Sequence, residues 1–250
     1  PISSKQILKS VEESLLRLKT NYIDLYQLHW PNRGSYHFRK YWDFDPSDQT
    51  TQEMEDHVSD ILFTLTKLVN EGKIRSIGLS NESAWGTMKF LEKAKMQSLE
   101  KIVSIQNEYS LLCRIFDTDL SELCHHENVD LLAFSPLAAG LLTGKYQDAQ
   151  IPKGSRLDLT ANINPGLSGR IGPNTFSAVT DYLKIAKIHN IDPIHMALSF
   201  CASRPFMGSV IFGATNKDQL SHILGGLDLI LSNEVLLDIN KVNRLNPMPI

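Results

Sequence analysis

At 250 residues, 42% of them hydrophobic, the chain is long enough to bury a sizeable core. Its net charge of −3, with lysine and arginine scattered along the chain, excludes the basic face that nucleic-acid binding requires. Its most apolar stretch, VDLLAFSPLAAGLLTG, is broken by Ser135-Pro136 and falls short of the ~20 apolar residues that cross a bilayer, so no membrane partner is expected. Cys113, Cys124 and Cys201 lack CxxC spacing and read as reduced thiols. No leader peptide is visible before the first amphipathic pattern, and a cytoplasmic location is expected.

In chain order, Ser4 to Lys19 reads as a helix, with Ile7, Leu8, Val11, Leu15 and Leu18 at helical spacing. The strand Tyr22–Leu28 follows and ends on His29. A polar and aromatic loop leads to a helix from Glu53 to Asn70, with Ile61, Leu62, Leu65 and Leu68 on one face and Gly72 as its stop. Next come the strand Ile74–Leu79 and the helix Ala84–Lys95, for which Ser80, Asn81 and Ser83 are candidate caps. The strand Ile102–Ile105, a short helix around Asp117–His126 and the strand Val129–Phe134 follow. Ala138 to Asn174 reads as a long functional or mobile loop. Helices Thr175–His189 and Pro193–Ser203, the strand Ser209–Phe212 and the helices Asn216–Leu224 and Asn233–Leu245 complete the chain. Strands that alternate with helices build a parallel sheet, because a parallel crossover needs a connection of helix length.

The five strands end in one manner: His29; Ser80-Asn81; Gln106-Asn107; Ser135-Pro136; Gly213-Ala214-Thr215. In a parallel sheet such ends lie on one side, where (β/α) barrels build their active sites and open sheets their ligand crevices. Polar punctuation and ordinary helix caps produce the same residues at any single end. In GATNKDQL, residues 213–220, Thr215 is placed to cap a helix and Asp218 stands in the capping-box position. The free N–H groups of such a helix suit a phosphate. There is no GxGxxG and no P-loop. Metal hydrolysis needs several His and Asp at strand ends, and only His29 stands there, so no metal residue is assigned. His125 and His126 read as solvated, with rings that diverge. No strand ends in a lysine for Schiff-base chemistry, and none carries paired carboxylates for glycoside hydrolysis.

Five motifs, in order, resemble the aldo-keto reductase superfamily: YIDLYQLHWP, GKIRSIGLSNESAWG, IVSIQNEYSLL, LLAFSPLAAGLLTGKY and VIFGATNKDQL. The resemblance spans nearly the whole chain. It is strongest to the bacterial Tas-like branch, related to potassium-channel β-subunits. It implies a (β/α)8 TIM barrel that uses NADPH to reduce aldehydes and ketones. His29 resembles the active-site histidine that orients and polarises the substrate carbonyl. Ser80, Asn81 and Gln106 resemble the residues that hold the nicotinamide carboxamide, which needs both donors and acceptors. Phe134 falls where the family sets an aromatic ring against the nicotinamide. Ser135, Pro136, Leu137, Ala138 and Gly140 resemble the segment that wraps the pyrophosphate. Lys145 and Arg156 resemble phosphate partners on a loop that closes over the cofactor. Gly213, Thr215 and Gln219 resemble the site for the adenosine phosphate end.

Two features depart from the family pattern. His222 and Ile223 stand where relatives often carry adenine-holding residues, which leaves NADP against NAD open. At the front, the family's barrel has eight strands, and residues 1–250 read as one partial barrel domain that supplies the last five. The family's aspartate, general-acid tyrosine and lysine belong to earlier strands, and Tyr22, Tyr26, Tyr36 and Tyr41 do not match the tyrosine's motif. The resemblance therefore implies an NADP-dependent oxidoreductase for a small carbonyl substrate, truncated before its proton donor. The alternative is a non-catalytic nicotinamide-cofactor-binding or redox-sensing module. The loop Asn32–Thr51, with its five aromatics, either lines a substrate pocket or packs on outer helices.

Overall fold

The computed structural model describes every residue from Pro1 to Ile250. In chain order it contains α1 (Ser4–Leu18), β1 (Ile23–Leu28), α2 (Thr51–Asn70), β2 (Ile74–Ser80), α3 (Ala84–Gln97), β3 (Ile102–Glu108), α4 (Asp119–Glu127) and β4 (Asp130–Phe134). There follow two short helical turns, α5 (Arg156–Thr160) and α6 (Gly166–Gly169), and then α7 (Thr175–Ile188), α8 (Pro193–Ala202), β5 (Met207–Ile211), α9 (Lys217–Leu224) and α10 (Asn233–Leu245). Each strand pairs with its neighbour in sequence, giving the order β1-β2-β3-β4-β5. The chain folds as two compact units, Pro1–Asn107 with Asp119–Leu131, and Glu108–Thr118 with Leu132–Ile250.

In the first unit β1, β2 and β3 pair in parallel, with Gln27 beside Gly78 and Gly78 beside Ser104. The next row is Leu28, Leu79 and Ile105, and the one after it sets Ser80 beside Gln106. Side chains alternate across a sheet, so one face carries Gln27, Gly78, Ser104, Ser80 and Gln106 while the other carries the leucine–isoleucine row. The apolar face belongs to the core formed with Val58, Ile61, Leu62, Leu65 and Leu68 of α2, all buried. Gly78 has no room for a side chain, since a Cβ there would lie 2.6 Å from Ser104 Oγ. α1 is capped by Ser3, whose hydroxyl accepts from the Gln6 N–H, and buries Ile7, Val11 and Leu15. Leu8 and Leu18 fit the helical spacing but are exposed, because they lie at the margins of that stripe.

The strand Ile102–Ile105 is longer than its apolar run, since β3 continues through the polar residues Gln106, Asn107 and Glu108. Of the candidate caps for α3, Ser83 performs the task by accepting from the Gly86 N–H, while Ser80 ends β2. His125 and His126 are exposed on α4, but their rings meet edge to face at 5.1 Å.

In the second unit Tyr109 stacks on Phe200 at 6.1 Å and meets Phe206 edge-on. Its hydroxyl donates to Asp117, which also takes a hydrogen bond from Arg114 Nε, both at 2.6 Å. Around this cluster α7 and α8 bury Val179, Tyr182, Met196 and Ala197. The stretch from Ala138 to Asn174 is not a featureless loop. It contains α5, α6 and 3-10 turns at Ala138–Thr143 and Gln147–Ala149. Left-handed backbone at Gly140, Leu167 and Ser168 folds it tightly, a conformation that helical and strand periodicities do not register.

One titratable group in the first unit gives a pH dependence. His57 of α2 lies beside Asn32, whose side-chain amide meets its Nε2 and also donates to the Ile2 carbonyl at 2.8 Å. Burial lowers the His57 pKa, outweighing the attraction of Asp60. The unfolded chain therefore binds this proton more readily than the folded one. Stability is complete above the ordinary imidazole value of ~6.5 and is lost as pH falls through the lowered value. Urea midpoints of the wild type are expected to fall between pH 7.5 and pH 5, and His57→Gln is expected to flatten that fall. An equal fall in the variant would assign it to other groups.

Candidate functional site

The first unit joins three strand ends through a compact hydrogen-bond network. The Ser80 hydroxyl donates to the Gln106 carbonyl at 2.7 Å. The Asn81 backbone N–H donates to the same carbonyl at 3.0 Å. Asn81 has φ 54°, a left-handed conformation that asparagine tolerates better than most residues. This turn aims its Nδ2 at the His29 carbonyl, 2.8 Å away, and at Ser80 Oγ, 3.0 Å away. Gln27 Nε2 donates to Gln106 Oε1 at 3.0 Å. Asn81 Oδ1 and Gln106 Nε2, an acceptor and a donor, take no part in this network. The His29 imidazole is exposed, stacks on Trp30 at 4.4 Å and makes no hydrogen bond.

A buried ion pair underlies this turn. Arg33 and Glu82, with side chains 8% and 3% exposed, meet through a forked contact in which Nη1 donates to Oε2 at 2.9 Å. Arg33 Nη2 donates to the other carboxylate oxygen and to Ser83 Oγ. The Glu82 carbonyl meets Asn107 Nδ2 and His37 Nε2. Gly86 must be glycine here, because a Cβ would collide with both members of the pair. Three buried polar atoms on β1 and β3 have no partner: Gln27 Oε1, Ser104 Oγ and Asn107 Oδ1. In the loop before α2, Tyr36 contacts His37, Tyr41 and Phe44, so part of the aromatic set packs on itself.

In the second unit Phe134 ends β4, and its carbonyl accepts from the Tyr109 N–H. Ser135 has φ 56°, and its hydroxyl accepts from Arg170 Nη2 at 3.3 Å. Arg170 also donates from Nε to Glu108 at 2.8 Å and from Nη1 to the Leu167 carbonyl at 2.9 Å, and both charged side chains are buried. Pro136 and Ala138 are buried, and Leu137 accepts from the N–H groups of Gly140 and Leu142. Gly140, at φ 95°, packs on Lys145: a Cβ there would lie 2.9 Å from Lys145 Cε and 3.0 Å from Nζ. Gly140 and Lys145 are thus brought together. Arg156 is exposed in the first turn of α5, and no hydrogen bond or ion pair ties its guanidinium to another residue.

At the start of α9 the capping residue is Asn216, not Thr215. Its side chain accepts from the Gln219 N–H at 2.9 Å. Gln219 Oε1 reaches back to the Thr215 N–H and hydroxyl, at 2.9 and 3.0 Å, so Thr215 and Gln219 form one unit. This is a capping-box arrangement shifted by one residue. Gly213 precedes it in the open, with no atom near the position of a Cβ.

Ordered βα units with polar, hydrogen-bonding strand ends define an α/β enzyme-type scaffold of the barrel class. The aldo/keto reductase family model matches residues 1–244, and the chain belongs to that family. It is 40% identical over 251 residues to the Protein tas of Escherichia coli, an alignment that covers 99% of this chain and 69% of that protein. It is 39% identical over 230 residues to a Babesia bovis protein named aldo-keto reductase, covering 88% of this chain and 79% of that one. A Schizosaccharomyces pombe protein bearing the name of a voltage-gated potassium channel subunit beta is 28% identical over 253 residues, covering the whole chain and 67% of its own length.

Proposed function

We propose that the protein is an NADPH-dependent oxidoreductase that reduces aldehydes or ketones, with His29 at the reacting centre. The observation that carries this reading is the pairing of Asn81 and Gln106. Their backbones are locked together, while Asn81 Oδ1 and Gln106 Nε2 stay unengaged. A carboxamide offers one acceptor and two donors, so one such pair matches it. The nicotinamide cofactor, when bound, supplies the hydride.

The chain's own residues orient and polarise. Ser80 and the Asn81 turn hold the His29 backbone, and the free His29 ring is placed to donate to a carbonyl oxygen as negative charge develops there. On the second unit, Ser135, Pro136, Leu137 and Ala138 frame a tight turn, and the Gly140–Lys145 contact sets an ammonium beside it for phosphate. Thr215 and Gln219 at the α9 start, with the exposed Arg156, offer further groups to the adenosine phosphate end. The local helix dipole favours that charge.

The general acid belongs to strands outside residues 1–250 in this reading. Tyr109 and Tyr182 cannot substitute, because burial pushes both hydroxyls up and they donate to Asp117 and to the Leu111 carbonyl. Tyr146 accepts from the Leu157 N–H. The lack of a strand-end tyrosine favours one second reading, a nicotinamide-binding or redox-sensing module. Its thiols would not be the sensor. Cys113, Cys124 and Cys201 are buried, and burial pushes the Cys124 pKa up to about 12, which keeps it from ionising.

NADPH oxidation with a panel of aldehydes and ketones separates the two readings. Negligible turnover is expected from the 250 residues alone. Turnover is expected once the tyrosine-bearing strands of the family are joined to them. An extended protein that binds NADPH without oxidising it would overturn the reductase reading and leave the binding module.

A further inference from the structure

Asp192, His195 and His222 come together on the second unit, with His222 one turn beyond Gln219 on α9. Asp192 caps α8: its Oδ1 accepts from the N–H groups of Ile194 and His195, at 2.8 and 3.1 Å. The cap uses one carboxylate oxygen and leaves Oδ2, which lies 3.0 Å from His222 Nε2 near the end of α9. The His195 ring lies 5.0 Å from the His222 ring, and its Nε2 meets the His222 carbonyl. That carbonyl can only accept, so Nε2 carries the proton and the lone pair of His195 sits on Nδ1. Ligating histidines typically show this pattern, with the second ring nitrogen donating to a backbone carbonyl. Gly226 keeps the ring in place, because a Cβ there would overlap it.

One ligating atom from each of the three residues lies within 4.8 Å of the others. Two imidazoles and a carboxylate form a donor set suited to zinc and its neighbours, with metal–ligand distances of about 2.0–2.2 Å. Closing the three atoms onto an ion needs a shift of about an ångström, which the half-exposed His222 side chain can supply. We propose that Asp192, His195 and His222 form a divalent transition-metal site that clips the start of α8 to the end of α9, with water completing the coordination.

Sequence spacing hides this group. Only Asp192 and His195 are close in the chain, and His222 is 30 residues beyond Asp192. The buried cysteines offer no competing thiolates.

The test is titration of the untagged chain with Zn2+ by calorimetry, and with Co2+ by visible absorption. One saturable, chelator-reversible equivalent is expected, with ligand-field bands for Co2+. At a hundredfold excess over Kd the thermal midpoint should rise by about 5–10 °C. His222→Gln should weaken binding by more than the roughly 10- to 100-fold typical of an outer-shell partner. Asp192→Asn keeps a capping oxygen and removes the charge, so it should stay folded by circular dichroism and also bind weakly. The absence of a saturable equivalent in the wild type would overturn the site. So would wild-type affinity in folded His222→Gln or Asp192→Asn.

Discussion

Replacing Glu82 by glutamine is expected to destabilise the first unit by about 3–5 kcal/mol, the usual consequence of leaving one member of a buried ion pair without its partner. The size follows from the surroundings. The Arg33 and Glu82 side chains are almost inaccessible, so water cannot replace the lost partner. Arg33 would keep its contact with Ser83 and its place 5.2 Å above the Trp85 ring, but neither neutralises a guanidinium. The double variant Arg33→Met with Glu82→Leu removes both charges, and much of the lost stability should return. All three tryptophans, Trp30, Trp42 and Trp85, lie in this unit, so urea unfolding followed by their fluorescence reads it selectively. A loss below about 1 kcal/mol, the range of exposed pairs, would contradict the burial. The variant also bears on function, since Glu82 directly follows the Asn81 turn.

Replacing Arg170 by methionine is expected to cost the second unit a similar ~3–5 kcal/mol. Arg170 holds together segments far apart in sequence: Glu108 at the end of β3, Ser135 after β4 and the left-handed turn at Leu167. Methionine fills much of the volume and makes none of those bonds, so the buried link from Glu108 to Ser135 and the Leu167 turn is lost. Far-UV circular dichroism during urea unfolding should show the loss. Limited proteolysis should cut the 138–174 segment faster than in the wild type, because Arg170 is its main polar tie to β3 and β4. Unchanged cleavage would mean that local turns hold the segment by themselves.

These two pairs mark what could not be read from the sequence. Helices and strands were legible because periodicity reports burial of a face, as in the Ile61, Leu62, Leu65 and Leu68 stripe of α2. Strand-end residues were legible because polar groups after apolar runs stand out, and the five ordered motifs fixed the family. Arg33 and Glu82 are 49 residues apart, and Glu108 and Arg170 are 62 apart. A buried charge looks in sequence like an exposed one, and only tertiary pairing separates them. The apolar run places the end of the third strand at Ile105, short of the observed Glu108, for a related reason. Gln106, Asn107 and Glu108 break the apolar run, yet they stay in the strand, where Gln27, the Glu82 carbonyl and Arg170 each hold one of them. At α9, Thr215 and Asn216 are both good caps, and the choice between them turns on the backbone angle of Asn216, which residue type alone does not set.

Titrating the chain with NADPH while following nicotinamide fluorescence tests whether the Asn81–Gln106 pair holds a nicotinamide carboxamide. Saturable binding of one equivalent is expected, weakened about five- to tenfold in Gln106→Leu, the equivalent of one lost hydrogen bond. No saturable binding, or wild-type affinity in Gln106→Leu, would contradict it.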